Sequence, residues 1–337
     1  MTRIKQIYTA ALCCEPIVRR MPNGELLCVC QSGDTYEPAP GNRVYVFHSK
    51  DNGETWTPPE SIYPEDGQAV YSTEVMVLDD EIHVFLTVHN GRFVNWSCQV
   101  MKSTDNGYTW ENTGAPPHFP TYTFFRGMIR LKNGDILIPY QHYPVTQEEN
   151  DRLLRENKGA WEANIDFVES GVIISRDGGH TYEKCKIPVH TKEWAWTEPT
   201  IVELTNGMVV MLFRICGSGF LWESRSSDGG KTWSKEVKTD IPNPTNKPKL
   251  IAMDDGRIAL IHTPNNKGIE TKKWTDRYPL QIWISTDDMA TWEYKKTVTE
   301  FPGNYDYADG FFEDGHILFS IERNRHDILF FDHVAEV

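Results

Sequence analysis

The segment SKDNGETW at residues 49–56 is the first copy of a motif that is repeated along the chain. It recurs as STDNGYTW at 103–110 and SSDGGKTW at 226–233, and more weakly as SRDGGHTY at 175–182 and STDDMATW at 285–292. In such a pattern the Ser and Asp side chains hydrogen-bond nearby backbone amides, while Gly supplies a positive φ. Each copy follows an apolar or alternating segment, so we expect five hairpin turns, each with an aromatic residue packed beside it.

A second repeat consists of two alternating segments joined by Asn-Gly or Asp-Gly, which is the strongest short-range signal for a β-hairpin. A sixth, degenerate copy, EVMVLDDEIHVFLTVH at 74–89, lacks the Gly. The five regular copies are EPIVRRMPNGELLCVC (15–30), RGMIRLKNGDILIPY (126–140), EPTIVELTNGMVVMLFR (198–214), KPKLIAMDDGRIALIH (247–262) and YADGFFEDGHILFSIE (307–322).

The two repeats together predict an all-β protein. Six hairpins, five of them followed by an aspartate turn, make six four-stranded units, and units of this size arranged radially form a six-bladed β-propeller. We expect one such domain over residues 1–337. The last unit has no aspartate turn and the segment 4–10 is a spare strand, so we predict that this N-terminal strand completes the sixth blade and closes the ring. A short helix is expected near 147–156.

The composition excludes several classes of function. The chain has 34 Lys+Arg against 48 Asp+Glu, a formal net charge of -14, which argues against nucleic acid as a partner and against docking on anionic membranes. No run approaches 18 apolar residues, so no transmembrane helix is expected. The seven cysteines, an odd number, indicate free thiols and a cytoplasmic location. No metal-ligand spacing is present, so we expect no metal and no cofactor; the sequence does not predict the oligomeric state.

Aligning the hairpins on their turn glycines predicts where a site lies. The residues nine positions before each glycine, or one later, include several ionisable groups at the same end of successive first strands. Because the first strands of a propeller line its axis, we expect these groups to converge on one mouth and to bind a ligand. They are Glu15, Arg126, Glu198, Lys247, Asp306 and Tyr307, with Glu74 of the degenerate hairpin joining them.

The Ser-x-Asp-x-Gly-x-Thr-Trp turn resembles the Asp box of sialidases and other bacterial neuraminidase repeat proteins, which are six-bladed propellers. The resemblance covers essentially the whole chain, and the box itself is structural in that family. It implies roles for particular residues. Glu198 and Arg214 match the family's Glu and Arg at the two ends of the fourth hairpin, and Arg277 matches a further substrate-binding Arg. Tyr307 in YADG is similar to the nucleophilic tyrosine, and Glu322 to the acid that ends the last hairpin.

This resemblance implies a coherent chemistry. A phenol with a pKa near 10 is a weak nucleophile at neutral pH, so Tyr307 needs a carboxylate base, which is Glu198. A neutral nucleophile also avoids repulsion from a substrate carboxylate, which Arg214 and Arg277 would grip.

The sequence departs from the sialidase pattern in the first blade. Sialidases place Arg-Ile-Pro there, and its Arg heads the triad that binds the sialic-acid carboxylate, whereas Cys14-Glu15-Pro16 stands at this point. Arg126 is a candidate replacement for the missing charge. The general acid lies in the loop after the first hairpin, where both Asp34 and Glu37 are available and spacing does not decide between them. Gln141, His142 and Trp196 are further candidates for substrate contact.

The leading hypothesis is therefore a sialidase-like exo-glycoside hydrolase of the retaining type. Its substrate would be an oligosaccharide or glycoside ending in an acidic or neutral sugar other than sialic acid. The first alternative is a lyase acting on a uronic-acid-containing glycan, with Tyr307 as acid and base. The second is a carbohydrate-binding propeller without catalytic activity.

Overall fold

The computed structural model describes residues 1–116, 119–192, 197–265, 276–299 and 301–335, with side chains for all of these except 188–192. In chain order the strands of the N-terminal half are β1 (Thr2–Thr9), β2 (Cys13–Arg20), β3 (Leu26–Ser32), β4 (Arg43–Ser49), β5 (Glu60–Ser61), β6 (Ala69–Val77), β7 (Ile82–His89), β8 (Ser97–Ser103), β9 (Glu111–Gly114), β10 (Thr123–Phe125), β11 (Ile129–Arg130) and β12 (Ile136–His142). The α-helix α1 (Gln147–Arg155) and a 3₁₀ turn (Ala160–Glu162) follow.

The strands of the C-terminal half are β13 (Phe167–Ser175), β14 (Glu183–Lys192), β15 (Pro199–Glu203), β16 (Val209–Arg214), β17 (Phe220–Ser226), β18 (Val237–Pro242), β19 (Lys249–Ala252), β20 (Ile258–His262), β21 (Gln281–Ser285), β22 (Tyr294–Thr297), β23 (Tyr305–Glu313), β24 (His316–Arg323) and β25 (Asp327–Val334). The strands of both halves together form six antiparallel sheets, which are the predicted six blades. From the inside outwards the blades are β2-β3-β4-β5, β6-β7-β8-β9, β10/β11-β12-β13-β14, β15-β16-β17-β18, β19-β20-β21-β22 and β23-β24-β25-β1.

The inner strands surround a central axis. Contacts join β2 to β6, β6 to β10, β15 to β19, β19 to β23, and β23 back to β2. The ring is closed as predicted, because β1 pairs antiparallel with β25 from Thr2 opposite His333 to Thr9 opposite Asp327. The Asn-Gly and Asp-Gly turns lie at one end of the inner hairpins. The starts of the first strands and the ends of the second strands therefore lie together at the other end, which we call the mouth.

Apolar side chains from neighbouring blades form the core between them. One cluster joins Val29 and Val46 of the first blade to Val75 and Val84 of the second, all essentially inaccessible to solvent. Alternation along each strand sends one row of side chains to each face of its blade, and both faces are covered by neighbouring blades. This explains why the inner strands are apolar along most of their length and why polar residues gather at the mouth.

The five aspartate turns share one hydrogen-bond network, seen clearly in the fourth blade. Asp228 accepts hydrogen bonds from Ser226 Oγ (2.8 Å), Thr232 N (2.9 Å) and Thr232 Oγ1 (2.6 Å). The Trp233 indole donates to Gly230 O at 2.9 Å. Gly230 has φ +86, and a Cβ there would lie 2.7 Å from Leu137 of the neighbouring blade. The hydrogen bonds thus fix the backbone of the turn, and the glycine lets that backbone pack closely against the neighbouring blade.

This network predicts a pH dependence of stability. Hydrogen bonds from the side chain and backbone of Thr232 lower the pKa of Asp228 from 3.8 to about 2. A carboxyl whose pKa is lower in the folded state stabilises the fold above its unfolded pKa, and this contribution is lost as the pH falls through the folded value. Asp228→Asn should therefore lower Tm at neutral pH and flatten the fall in Tm between about pH 4 and about pH 2. Parallel pH profiles of wild type and variant would contradict this explanation.

A helical insertion in the third blade projects over the mouth. Thr146 caps the N-terminus of helix α1, and its Oγ1 accepts a hydrogen bond from Glu149 N at 3.2 Å. Leu153 and Asn150 lie on the buried side of this helix, and Asn150 Oδ1 accepts a hydrogen bond from Asn95 N at 3.0 Å. The 3₁₀ turn that follows carries Trp161, whose side chain is half exposed. No helix in the part of the chain that the structure describes is long and apolar enough to cross a membrane.

Candidate active site

Two β-bulges at the mouth position the central side chains. The register of β2 against β3 shifts between Cys14 and Ile17, and that of β23 against β24 shifts between Asp306 and Asp309. Within these bulges Glu15 has φ +52 and Tyr307 has φ +56. A non-glycine residue in this region costs about 1 kcal/mol or more. Such strain clusters at functional sites, and here it accompanies two side chains that lie buried at the mouth.

Tyr307 and Glu198 form the centre of the site. The Tyr307 hydroxyl donates to Glu198 Oε1 at 2.8 Å, and Arg214 Nη2 lies 2.7 Å from Glu198 Oε2. Burial and the Glu198 charge raise the pKa of Tyr307 well above its ordinary value. Burial alone would also raise the pKa of Glu198, but Arg214 and Arg126 outweigh it and lower that pKa. A protonated phenol therefore faces an ionised carboxylate, which is the state that a nucleophile and its base require.

Four arginines surround this pair, and each holds a carboxylate of the protein. Arg126 Nη1 lies 2.6 Å from Glu15 Oε2, Arg214 contacts Glu198, and Arg277 Nη1 lies 3.0 Å from Asp306 Oδ1. Arg214 and Arg277 also both donate to the carbonyl oxygen of Thr245. The fourth arginine, Arg325, pairs with Glu37.

Arg325 is a site residue that the sequence analysis missed. It lies in the turn between β24 and β25, and its Nη2 is also 3.6 Å from Cys14 Sγ. It therefore approaches the position where the sialidase pattern has its first arginine. Glu37 Oε2 in turn accepts from Gln31 Nε2 at 2.8 Å and from Cys14 Sγ at 3.2 Å. The sequence did contain a signal for this residue. Arg325 comes three residues after Glu322, and Glu322 ends the last hairpin at the mouth.

The structure distinguishes the two candidates for the general acid. Glu37 lines the cavity at the mouth. Asp34 is exposed in the same loop, where its Oδ1 accepts from Thr35 N at 2.7 Å, and it is not among the residues that line the cavity. Of the two carboxyls, only Glu37 is placed to reach a ligand bound there.

Glu74 does not reach the mouth, contrary to the expectation from alignment. It accepts hydrogen bonds from Arg19 Nη2 at 2.7 Å and Met128 N at 2.6 Å, further along the axis. Glu74 lies three residues before the last paired residue of its strand, as Ile17 does in the first hairpin, so Glu74 is level with Ile17 rather than Glu15.

Glu74 belongs to a second layer of charges below the site. Its centre is Asp309, which pairs with Arg19 and lies 3.1 Å from Lys249 Nζ. Lys247 lies between the two layers, with its Nζ 3.6 Å from Asp309 Oδ2, and burial lowers its pKa. This layer supports the inner strands from beneath, and Lys247 faces it rather than open solvent.

A cavity of about 560 Å³ opens above Tyr307. Aromatic and apolar side chains make up most of its wall, and Trp161 and Tyr36 stand exposed at its rim. A second cavity, of about 450 Å³, shares Tyr36, Pro38 and Trp161 with the first and continues along the insertion. The lining of the first cavity is Glu15, Tyr36, Glu37, Pro38, Tyr71, Phe93, Phe124, Trp161, Tyr307 and Arg325.

The remaining candidates are placed as follows. Gln141 is buried and accepts from Thr197 N at 3.1 Å, and His142 contacts Thr123 Oγ1 at 2.9 Å. Trp196 lies outside the described residues. The aromatic wall, with Tyr71, Phe93 and Trp161, was not anticipated, because these residues come from three segments that only the fold brings together.

A six-bladed propeller with a buried Tyr–Glu pair and arginines at one end of its axis is a protein of the sialidase-like class. The chain belongs to the family described as the BNR repeat-like domain, whose model matches residues 70–317. It is 24% identical over 319 residues to a sialidase of Paraclostridium sordellii, covering 82% of this chain and 72% of that relative.

Solved structures share the fold at low identity. A Dyadobacter fermentans protein of unknown function superposes with a TM-score of 0.73 at 21% identity, covering 99% of both chains. The Hadza microbial sialidase Hz136 gives a TM-score of 0.71 at 18% identity, covering 95% of this chain and 65% of its own. Trypanosoma rangeli sialidase gives 0.72 at 16% identity, with 98% and 55% covered. The chain thus spans about half to two thirds of those two sialidase chains.

Proposed function

We propose that this protein is a retaining exo-glycoside hydrolase that removes a terminal sugar, other than sialic acid, from an oligosaccharide. The observation that carries the proposal is the 2.8 Å hydrogen bond from Tyr307 to the buried, ionised Glu198 at the wall of the cavity. A binding scaffold has no need for a base beside a tyrosine. The relatives named sialidases support the reaction class, while the first-blade Cys14 and Glu15 separate this site from a sialic-acid site.

The proposed reaction has two steps. Tyr307 Oη attacks the anomeric carbon and transfers its proton to Glu198. Glu37, in the protonated form in which it is not paired with Arg325, protonates the departing glycosidic oxygen. The sugar is then bonded to Tyr307. In the second step Glu37 takes a proton from water, the water oxygen attacks the anomeric carbon, and the Tyr307 oxygen leaves with the proton from Glu198. Two displacements at the same carbon retain its configuration.

The arginines have a positioning role in this reaction. Arg214 contacts both oxygens of the pair, since its Nη2 is 2.7 Å from Glu198 Oε2 and 3.4 Å from the Tyr307 hydroxyl. Its charge keeps Glu198 ionised and stabilises negative charge as it develops on the phenol oxygen. The guanidinium of Arg126, 5.5 Å from the centre of the Tyr307 ring, acts in the same direction.

The lyase alternative receives less support from the geometry. A uronate lyase must neutralise the substrate carboxylate to make the neighbouring proton acidic. Each of the four arginines at the mouth is instead paired with a protein carboxylate.

The proposed function is tested with purified protein on a panel of aryl glycosides and reducing-end-labelled oligosaccharides that includes sialosides and uronides. We expect release of a terminal monosaccharide from at least one non-sialic member. An unsaturated product, seen as a rise in ultraviolet absorbance, would instead establish the lyase. Tight binding without turnover of any member would establish the scaffold.

The continuous second cavity predicts a role for Trp161. An exposed indole where two cavities meet offers a flat apolar surface to the sugar that follows the scissile bond. Trp161→Ala should raise KM for a trisaccharide about tenfold, with kcat changed less than about twofold. The matched control is Tyr108→Ala, an exposed aromatic of a peripheral aspartate turn, which should leave both constants unchanged. A fall in kcat with unchanged KM would contradict this role.

A further inference from the structure

The charges at the mouth are matched within the protein. Glu15, Glu198, Asp306 and Glu37 each occupy one arginine, and all four pairs are at least half shielded from solvent. A fifth carboxyl, Glu322, accepts from Glu15 N at 2.7 Å. Burial raises the pKa of Glu15, Asp306 and Glu322, because desolvation disfavours their charged forms. Another anion would enter a site whose cations are already engaged.

The charged residues of the cavity wall also disfavour the binding of an anion. Its acidic and basic side chains among the described residues are two carboxyls, Glu15 and Glu37, and one guanidinium, Arg325. Arg325 is held by Glu37, so no residue that the structure describes on that wall offers an uncompensated positive charge. A carboxylate buried there without a partner of its own would lose its hydration and face two like charges.

The other features of the wall suit an uncharged sugar. Besides Tyr307, six of its ten residues are aromatic or proline, namely Tyr36, Pro38, Tyr71, Phe93, Phe124 and Trp161. Ring faces pack against the C–H faces of a pyranose, and carboxylates accept hydrogen bonds from its hydroxyls. A neutral phenol as nucleophile also fits, because it adds no further negative charge beside Glu15, Glu198 and Asp306.

We propose that the sugar bound in this cavity is a neutral one, and that Glu15 and Glu37 exclude acidic sugars by occupying Arg126 and Arg325. This inference rests on the proposed function, because it takes the ligand of the cavity to be a sugar. It narrows the substrate from acidic or neutral sugars to neutral ones.

The test compares the binding of sugars matched in shape and different in charge. Binding of methyl galactoside and methyl galacturonide, methyl glucoside and methyl glucuronide, and N-acetylneuraminic acid is measured by calorimetry at neutral pH. Wild type is expected to bind a neutral member at least about tenfold more tightly than its acidic partner. Glu15→Gln frees Arg126 and is expected to gain at least about tenfold in affinity for an acidic member. Glu313→Gln, whose partner Arg20 lies away from the cavity, is the control and should match wild type.

Every result of these binding measurements either supports the proposal or overturns it. Preference of wild type for an acidic member, or absence of any gain in folded Glu15→Gln, would overturn the proposal. If wild type binds none of the sugars, the Glu15→Gln measurement decides alone. If Glu15→Gln does not fold, Glu37→Gln takes its place, because it frees Arg325 on the same wall. A failure of the proposed hydrolysis appears separately, as lack of turnover on the glycoside panel, and leaves these binding measurements readable.

Discussion

Replacing Tyr307 with phenylalanine is expected to lower kcat at least about a thousandfold, because the variant lacks the oxygen that attacks the anomeric carbon. The ring itself remains, so its contact with the Arg126 guanidinium is preserved. Binding of the sugar should therefore change little. Loss of one hydrogen bond to the charged Glu198 should cost about 1.5–3 kcal/mol of stability, too little to unfold the protein.

Glu198→Gln supplies the matched comparison for this variant. It keeps the shape of the side chain and removes its charge, so Tyr307 keeps a hydrogen-bond acceptor but loses its base. We expect a loss of kcat of the same order, and a Tyr307→Phe/Glu198→Gln double variant scarcely worse than either, since the two groups act as one unit. If kcat of the double variant fell by the product of the two single factors, the two groups would act independently, which would contradict their joint action.

The second large effect concerns stability. Asp309 is buried in contact with Arg19 and Lys249, and Lys247 lies nearby, so Asp309→Asn leaves three cations with Glu74 as their remaining carboxylate in this layer. Removing one partner of a buried ion pair costs about 3–5 kcal/mol, and we expect a loss of that size in the free energy of unfolding. Denaturant unfolding measures it.

The control for Asp309→Asn is Glu313→Gln on the same strand. Glu313 pairs with Arg20, but both side chains are partly exposed, and such pairs contribute about 1 kcal/mol or less. If Asp309→Asn cost no more than this control, the second layer of charges would not hold the inner strands together.

The fold could be predicted because its repeats are carried by local chemistry. Each aspartate turn closes on itself through Ser, Asp and Thr, as Ser226, Asp228 and Thr232 show, and each inner hairpin is set by its Asn-Gly or Asp-Gly dipeptide. The spare N-terminal strand followed from counting strands. The aspartate turn tolerates one departure from its pattern, since Met289 takes φ +68 where the other four turns have glycine.

The site could be predicted only where the register of the hairpins carries it. A common distance from the turn glycine brings Glu15, Glu198 and Asp306, with Tyr307 beside it, to one end of the axis. The second hairpin has no such glycine, and Glu74 lies closer to its turn and therefore lower. Arg325, Tyr36 and Trp161 lie in connections whose path no periodicity determines. Sequence also left Asp34 and Glu37 equivalent, and only the course of their loop separates them.

The most direct test of the central claim is to identify the atom that the sugar is bonded to during turnover. Once the glycoside panel has supplied a substrate, its fluorinated analogue with a good leaving group should slow the second step and accumulate the intermediate. Intact-mass measurement followed by peptide mapping should then show one glycosyl group on Tyr307, and none in the Tyr307→Phe variant. A glycosyl group on Glu198 or Glu37 instead would mean that a carboxylate is the nucleophile, and would contradict the mechanism proposed for this site.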